Sequence, residues 1–206
     1  MKNYLMIITL LALGLSASAQ PVAGKFFAGG SLSISASTDK SKIDGTTTTD
    51  NTNFQFGLNP LAGYFLSDRI AVGLGLGLNT SVTKYPDNIP DKSTTATFYI
   101  EPFGRYYLIS GKAGLFAQAS ISMGVGNTKV HYENASVETN HLSLDAGVSP
   151  GLYYYLTERL ALEATIGWIG FETQVDKYSN DNKDISSGFE MSLHPSYFTL
   201  GLTFIL

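Results

Sequence analysis

The chain repeats one strand–turn–strand segment three times. Each copy follows the pattern Pro-x-x-x-Tyr-aromatic-Leu, beginning at Pro60, Pro102 and Pro150, within a run in which apolar residues alternate with small or polar ones. A short turn and a second alternating run follow, which is the pattern of a β-hairpin. Repetition of one supersecondary unit at a nearly constant spacing predicts a fold built by placing one hairpin beside the next.

The two faces of each predicted strand have opposite chemistry. Successive side chains of a strand point to opposite sides, so between Ile70 and Thr83 the even positions are nearly all Ile, Val or Leu, whereas the odd ones are small or polar. The same division recurs in every predicted strand. In the seventh we expect the apolar series to comprise Leu160, Leu162, Ala164, Ile166 and Trp168.

This polarity excludes a soluble β-sandwich or a lipocalin-like barrel. The face opposite the aliphatic one is crowded with Gly, Ser, Thr, Asn and Gln, and it carries every charge that the predicted strands contain. Such a face cannot form the interior of a soluble barrel, and an apolar outer belt of this size would aggregate in water. A lipid-facing band around a polar interior is typical of a transmembrane β-barrel.

We expect an all-β fold, a closed antiparallel barrel of eight strands. An even number of strands is typical of such barrels, and closing the sheet leaves no unpaired strand edge in the lipid. Short turns are predicted near 67–69, 109–112 and 157–159, and longer polar loops at 38–51, 84–93, 127–139 and 172–187. The predicted strands are Gly24–Ser37, Thr52–Leu66, Ile70–Thr83, Thr94–Leu108, Ala113–Gly126, Asn140–Leu156, Leu160–Phe171 and Gly188–Leu206.

The amino terminus has the three parts of a secretory signal peptide. Lys2 precedes an apolar stretch from Tyr4 to Leu15, and Ala17-Ser-Ala19 supplies the small residues of a cleavage site between Ala19 and Gln20. We therefore expect a cleavable signal peptide over 1–19 and one barrel domain over 20–206. The chain contains no cysteine, which excludes disulfides and a lipid-anchored lipoprotein.

Two features conflict with regular strands. Pro60, Pro102 and Pro150 lie where a strand should pair on both sides, so matching bulges or positions beyond the paired zone are expected. The last strand also changes phase, because apolar residues occupy odd positions up to Leu193 and even positions from Phe198. A bulge near His194-Pro195-Ser196 would account for the change.

Polar residues of the inner face could converge within the barrel. We interpret them as a structural network that plugs the lumen, since buried charges persist when they are paired and eight strands leave little interior space. A proton or ion relay is the alternative. No catalytic site, cofactor site or metal site is predicted. The sequence has no Gly-x-Ser-x-Gly motif and no phosphate loop, and the three histidines lack metal-ligand spacing. The predicted network comprises Glu101, Arg105, Asp145, Glu163, Gln118 and His141, with Tyr99 close to it.

The signal peptide, the alternating strands and the hairpin repeats resemble the small eight-stranded outer-membrane β-barrel family, the OmpA/OmpX-like group that includes porin-family proteins. The resemblance covers Gly24 to Leu206 and implies location in the cell outer membrane, contact with outer-membrane lipid and insertion by the barrel assembly machinery. It also implies an assembly signal in the terminal strand, although the final residue is Leu where the family usually has Phe. That signal would comprise Phe198, Leu200, Leu202, Phe204 and Leu206.

Three classes of function remain open. The preferred one is a monomeric, non-enzymatic barrel with a structural role or with surface loops that contact an extracellular ligand. A barrel enzyme that modifies the acyl chains of lipid A or phospholipid would need a histidine, a serine and a carboxylate near the outer rim on the lipid side. A small-solute porin would need an open lumen. Net charge is −4 and no basic patch is present, so a nucleic-acid partner is excluded.

Overall fold

The computed structural model describes residues 23–43, 46–85, 91–132, 135–178, 182–192 and 198–206. The predicted signal peptide with its cleavage site, and the predicted bulge at His194-Pro195-Ser196, lie outside these ranges. Across the described residues no helix is long and apolar enough to span a membrane. The strands are β1 Phe26–Ile43, β2 Thr46–Phe65, β3 Ile70–Lys84, β4 Lys92–Ile109, β5 Ala113–Tyr132, β6 Ala135–Tyr155, β7 Leu160–Ile166, β8 Trp168–Tyr178, β9 Lys183–Ser192 and β10 Phe198–Ile205.

Ten strand segments form the eight strands of a closed barrel. Consecutive segments pair antiparallel from β1 to β6, and β10 pairs with both β1 and β7. Both β7 and β8 pair with β6, so together they make one interrupted strand, and β9 with β10 makes the next. The predicted eight-stranded antiparallel barrel is confirmed, and its two interrupted strands are neighbours.

The three predicted short turns define one end of the barrel, called the turn end here. Ser67 and Thr157 occupy equivalent positions in the first and third of these turns. The Ser67 Oγ accepts hydrogen bonds from the N–H groups of Arg69 and Ile70, at 3.3 and 3.1 Å. The Thr157 Oγ1 accepts from Arg159 and Leu160 at 3.2 and 3.0 Å. Hydroxyl side chains stabilise tight turns in this way, which explains why the first and third turns both begin with a hydroxyl residue.

The opposite end, called the mouth, contains more strand than the sequence indicates. Most of the Thr/Asn/Lys-rich stretches predicted as loops are paired extensions of the strands. The β1–β2 ladder continues to Ile43 and Thr46, and the β5–β6 ladder continues to Tyr132 and Ala135. Both faces of a ribbon that projects into water can carry polar side chains. The apolar–polar alternation of the sequence is therefore lost there, although the strands remain paired.

The three repeated prolines interrupt the ladder on one side only. Each pairs with the preceding strand, as in Gly30↔Pro60, and each leaves a two-residue gap against the following strand. The gaps at Pro60 and Pro102 keep the register, so the predicted bulges are absent there. Only at Pro150 does the register change, from Gly151↔Thr165 to Val148↔Ile169.

That change occurs opposite Gly167, which has φ of 76° and separates β7 from β8. The break inverts the phase, so Leu162 faces outward before it and Ile169 and Phe171 face outward after it. Trp168 lies inside, against Gly147 and Gly170. The prediction that Trp168 belongs to the lipid-facing series is therefore wrong. A glycine with positive φ within a strand cannot be distinguished in the sequence from any other small inward-facing residue.

The outer surface is a continuous apolar belt. Side chains from every strand contribute to it, and they are 37–71% exposed in the isolated chain. The buried core lies inside the barrel and is concentrated at the turn end. The large aliphatic residues thus face out, as the alternation predicts.

The barrel lumen as candidate functional site

The turn end of the lumen is filled by aromatic rings, called the plug here. Their centroids follow one another at 4.9 Å between Phe27 and Phe65, 5.7 Å between Phe65 and Tyr107, and 5.4 Å between Tyr107 and Tyr153. Several rings pack on glycines of the facing wall, including Gly63 and Gly151, where a Cβ would clash with the ring. The plug comprises Phe27, Phe65, Phe103, Tyr107, Phe116, Tyr153 and Tyr155, with Ala71, Ala161 and Ile205 packed beside it.

Arg105 is embedded in the plug and is only 3% exposed. Its Nη1 donates to both carboxylate oxygens of Glu163 at 2.9 Å, and its Nε and Nη2 donate to the Gln118 Oε1 at 3.2 and 2.9 Å. The guanidinium carbon lies 4.1 Å from the centroid of the Phe116 ring. All three nitrogens of the cation therefore donate to a polar partner and a ring packs near it, as a buried charge requires.

Gln118 links this ion pair to the lumen above it. Its Nε2 donates to the Glu101 Oε1 at 3.2 Å. A cavity of about 240 Å³ lies above the plug, lined by Arg105, Gln118 and Glu163. It adjoins a second cavity, of about 570 Å³, that leads toward the mouth, and Tyr99, Glu101 and Trp168 line both.

The cavity nearer the mouth has an acidic lining. Asp145 lies in it, away from Arg105, and the described side chains that line it include no Lys, Arg or His. Serine and threonine hydroxyls occupy most of the remaining wall. The lumen is consequently neutralised at one end and negative at the other. The carboxylates of the lining are Glu101, Asp145, Glu172 and Glu190.

His141 belongs to a different cluster, nearer the mouth. Its Nδ1 lies 2.7 Å from the Asp176 Oδ1, and its Nε2 lies 2.7 Å from the Thr128 Oγ1. His141 is fourteen residues from the end of β6 at Tyr155, beyond the ~9–11 residues that cross a bilayer. The hydrogen bond with His141 lowers the pKa of the Asp176 carboxyl below its usual value.

The structure brings four residues of the predicted network together and separates two. Glu101, Arg105, Gln118 and Glu163 form one connected set, whereas Asp145 lines the cavity above them and His141 pairs elsewhere. The plug itself was not predicted. Its signal was available, because its rings alternate with the apolar outward residues near the turns. No group of three or more potential metal ligands occurs among the described residues.

The terminal strand β10 completes the barrel by pairing with β1 and β7. Within the predicted assembly signal, Leu200, Leu202, Phe204 and Leu206 face outward and are exposed. The structure thus presents these four side chains on the lipid-facing surface, as the alternation predicts.

The comparisons with known proteins agree with this architecture. The sequence matches the family model of the outer membrane protein beta-barrel domain over residues 7–204. The fold resembles the crystal structure of the outer membrane protein OprG from Pseudomonas aeruginosa, with a TM-score of 0.51 and 15% identity, covering 92% of this chain and 98% of OprG. Neisserial surface protein A (NspA) is also similar, at a TM-score of 0.41 and 14% identity, covering 88% of this chain and 97% of NspA.

At 15% identity the OprG structure shows the fold alone. No curated protein matches the sequence. The family model, by contrast, spans nearly the whole chain. The protein therefore belongs to the outer membrane protein β-barrel domain family and is a protein of the cell outer membrane.

Proposed function

We propose that this protein is a non-enzymatic outer-membrane barrel that presents rigid hairpins for contact at the cell surface. The supporting observation is the length of the paired strands. β5 and β6 contain 20 and 21 residues, whereas ~9–11 residues cross a bilayer. Roughly half of this hairpin therefore projects from the membrane, on the extracellular side if the short turns face the periplasm as in other barrels.

Polar contacts across the projecting ribbon favour a fixed shape. The Asn127 Nδ2 donates to the Glu138 Oε1 at 2.7 Å and to the Asn140 Oδ1 at 3.1 Å. At the tip of the β8–β9 hairpin, the Tyr178 hydroxyl donates to the Asp184 Oδ2 at 3.0 Å. Binding residues are commonly carried on connections that a rigid scaffold holds in place.

The test removes the tip of the ribbon without changing the barrel. Residues 130–137 are replaced by Asn-Gly between Lys129 and Glu138, which face each other across the ladder, so that a two-residue turn closes the shortened hairpin. A second variant shortens the β8–β9 hairpin in the same way, by replacing 178–182 between Lys177 and Lys183. Adhesion of intact cells to one another and to protein-coated surfaces is then scored in strains that carry each variant.

We expect shortening of β5–β6 or β8–β9 to reduce adhesion while the barrel still inserts. Insertion is checked by outer-membrane fractionation and by faster migration of the unheated protein on a gel. Unchanged adhesion with both hairpins shortened would refute the proposal.

A small-solute porin is less well supported, because the plug fills the turn end of the lumen. Bilayer recordings of the intact protein should show little or no steady ion conductance. A large stable conductance would show that the plug leaves a path for ions.

The enzyme alternative has one specific observation in its favour. Thr128, His141 and Asp176 have the order and spacing of a hydroxyl–imidazole–carboxylate relay. Two facts oppose it: the set faces the lumen, and Thr128 pairs with Thr95 on one side and Thr139 on the other, so the nearby backbone N–H groups are already bonded and cannot stabilise an oxyanion.

Mass spectrometry of extracted lipids separates the two functions. Lipids from a strain that lacks the protein should match those of the parent. A difference of one acyl chain that His141→Ala reproduces would establish the enzyme. Parallel variants at His131 and His194 test the other two histidines.

A further inference from the structure

The outer surface near the turn end contains a groove of about 500 Å³, called the turn-end groove here. Strand pairing places Ala164 of β7 between Leu152 of β6 and Leu200 of β10. It also places Ala113 of β5 beside Tyr154 of β6. The two alanine side chains leave room that larger residues would fill. The rest of the wall is mainly aliphatic: Ile109, Leu115, Leu152, Leu162 and Leu200.

Alanine at these two positions distinguishes the second and third repeats from the first. Ala113 takes the position that Ile70 has in the first repeat, and Ala164 takes that of Leu74. An apolar cavity of ~150 Å³ is enough to hold benzene, so the groove has room for a run of methylene groups. Glu163 also borders the groove, but its carboxylate is paired with Arg105. The groove therefore suits an uncharged alkyl chain.

Lys112 lies at the turn end of this groove. Its Nζ is 5.6 Å from the centroid of the Tyr154 ring, a distance at which the ring attracts the ammonium. Tyr154, like Tyr64 and Tyr106, is the repeated tyrosine of its hairpin and lies two residues before the turn-end leucine. Aromatic girdles of barrels lie where the hydrocarbon meets the lipid headgroups. Lys112 precedes β5 on the turn side of that level, so its ammonium lies at headgroup depth.

Lys112 differs from the basic residues of the other two turns in its neighbour. Arg69 and Arg159 each follow an acidic residue, whereas Lys112 follows Gly111. The two ion pairs formed among the described residues involve other side chains. In the turn next to the groove, the acidic residue offsets the charge of Arg159. The turn end of the groove therefore carries a net positive charge.

We propose that the turn-end groove holds one anionic glycerophospholipid from the leaflet that surrounds the turns. An acyl chain lies between the leucines, and the phosphate binds the ammonium of Lys112, since lysine is a common partner of phosphate. The groove extends from β5 to β10 across β7, which has only seven residues, so the bound lipid fastens the closing strand to its neighbours. This site is at the opposite end from the hairpin ribbons and does not depend on the proposed surface contact.

Native mass spectrometry of the intact barrel counts the lipids that it retains. The protein in detergent is titrated with phosphatidylglycerol and, in parallel, with phosphatidylcholine of the same acyl chains, whose head has no net charge. Ala164→Leu fills the groove, and Ala119→Leu is its control, because Ala119 is exposed on β5 outside the groove lining. Lys112→Gln removes the cation, and Arg69→Gln does the same in the first turn. Faster migration of the unheated protein on a gel checks that each variant is folded.

We expect each barrel to retain one phosphatidylglycerol at concentrations at which phosphatidylcholine is lost. Lys112→Gln should weaken retention about fivefold, the effect of one lysine near an anionic lipid surface. Ala164→Leu should abolish it, and both control variants should bind as the parent does. Added phosphatidylglycerol should also raise the thermal midpoint of the parent but not of Ala164→Leu, because a ligand of the folded state stabilises that state.

Equal retention of the two lipids would overturn the assignment of an anionic head. Equal binding by Lys112→Gln and Arg69→Gln would remove Lys112 as the phosphate partner, and this arm holds even if Ala164→Leu does not fold. Retention unchanged in folded Ala164→Leu would place the lipid elsewhere and overturn the groove. A dimer that Ala164→Leu disrupts would assign the groove to a second copy of the chain and overturn the proposal as well.

Discussion

The two ends of the lumen handle charge differently. At the turn end, one arginine meets one glutamate within an aromatic plug, and every donor of the guanidinium that the structure describes is engaged. Toward the mouth, carboxylates line a cavity without a described basic residue. The first arrangement can exist only when both partners are present, whereas the second relies on water. Sealing of the lumen and stability of the barrel should therefore depend on the turn end.

Removing the cation of the plug should have the largest effect. Arg105→Ala leaves Glu163 buried without its partner, and we expect a loss of about 3–5 kcal/mol of unfolding free energy. Denaturant unfolding in micelles, followed by Trp168 fluorescence, measures it. Arg105→Met combined with Glu163→Met removes both charges and should recover most of the loss. A double variant as unstable as Arg105→Ala would show that shape, and not charge pairing, maintains the plug.

One substitution made at both ends tests the comparison directly. Glu163→Gln weakens a charged hydrogen bond in the plug and should cost about 1.5–3 kcal/mol. Glu172→Gln in the mouth cavity should change stability by less than about 0.5 kcal/mol, since its side chain is exposed. Similar losses in the same unfolding assay would mean that the two ends do not differ as described.

The strand break at Gly167 should have an intermediate effect. Gly167→Ala places a Cβ on a residue with φ of 76°, at a cost of about 1–2 kcal/mol. Because the break directs Trp168 inward, its emission should also shift as the indole changes surroundings. Gly188→Ala is the matched control, since a Cβ added there would meet open space and its φ is ordinary. An unchanged emission spectrum with Gly167→Ala would contradict the role of the break.

The smallest effect should lie beyond the bilayer, at His141 and Asp176. A carboxyl whose pKa is lowered in the folded state adds stability above its unfolded pKa and loses that contribution as the pH falls through the folded value. Carboxyl NMR should show Asp176 titrating at lower pH in the native protein than in His141→Ala. Identical titration in the two proteins would remove His141 as the cause.

The sequence predicts the features that depend on local alternation. The outward Leu, Ile and Val, the three short turns and the number of strands all follow from a period of two and from repeated text. The predicted outward orientation of Trp168 is wrong because nothing in the sequence indicates that Gly167 has a positive φ. The predicted hairpins are too short because Thr, Asn and Lys occur both in solvated loops and in exposed paired strands.

The site was partly predictable for a related reason. The charges of Glu101, Arg105 and Glu163 could be placed on the inner face, since each lies in a strongly alternating strand. Which of them meet depends on how the strands are staggered around the barrel, and that brings together Arg105 and Glu163, 58 residues apart. The pairing of His141 with Asp176 has the same origin.

The one-sided gaps at the prolines divide the barrel into units of unequal cohesion. Within the β3–β4 and β5–β6 hairpins, which meet at the mouth, the ladders are unbroken, whereas β2–β3 and β4–β5 each lack pairs beside a proline. A chain pulled from the membrane by one end should therefore come out as whole mouth-side hairpins, separating along the proline-facing junctions. The repeated prolines would then determine where neighbouring hairpins separate, and the pairing within each hairpin would stay intact.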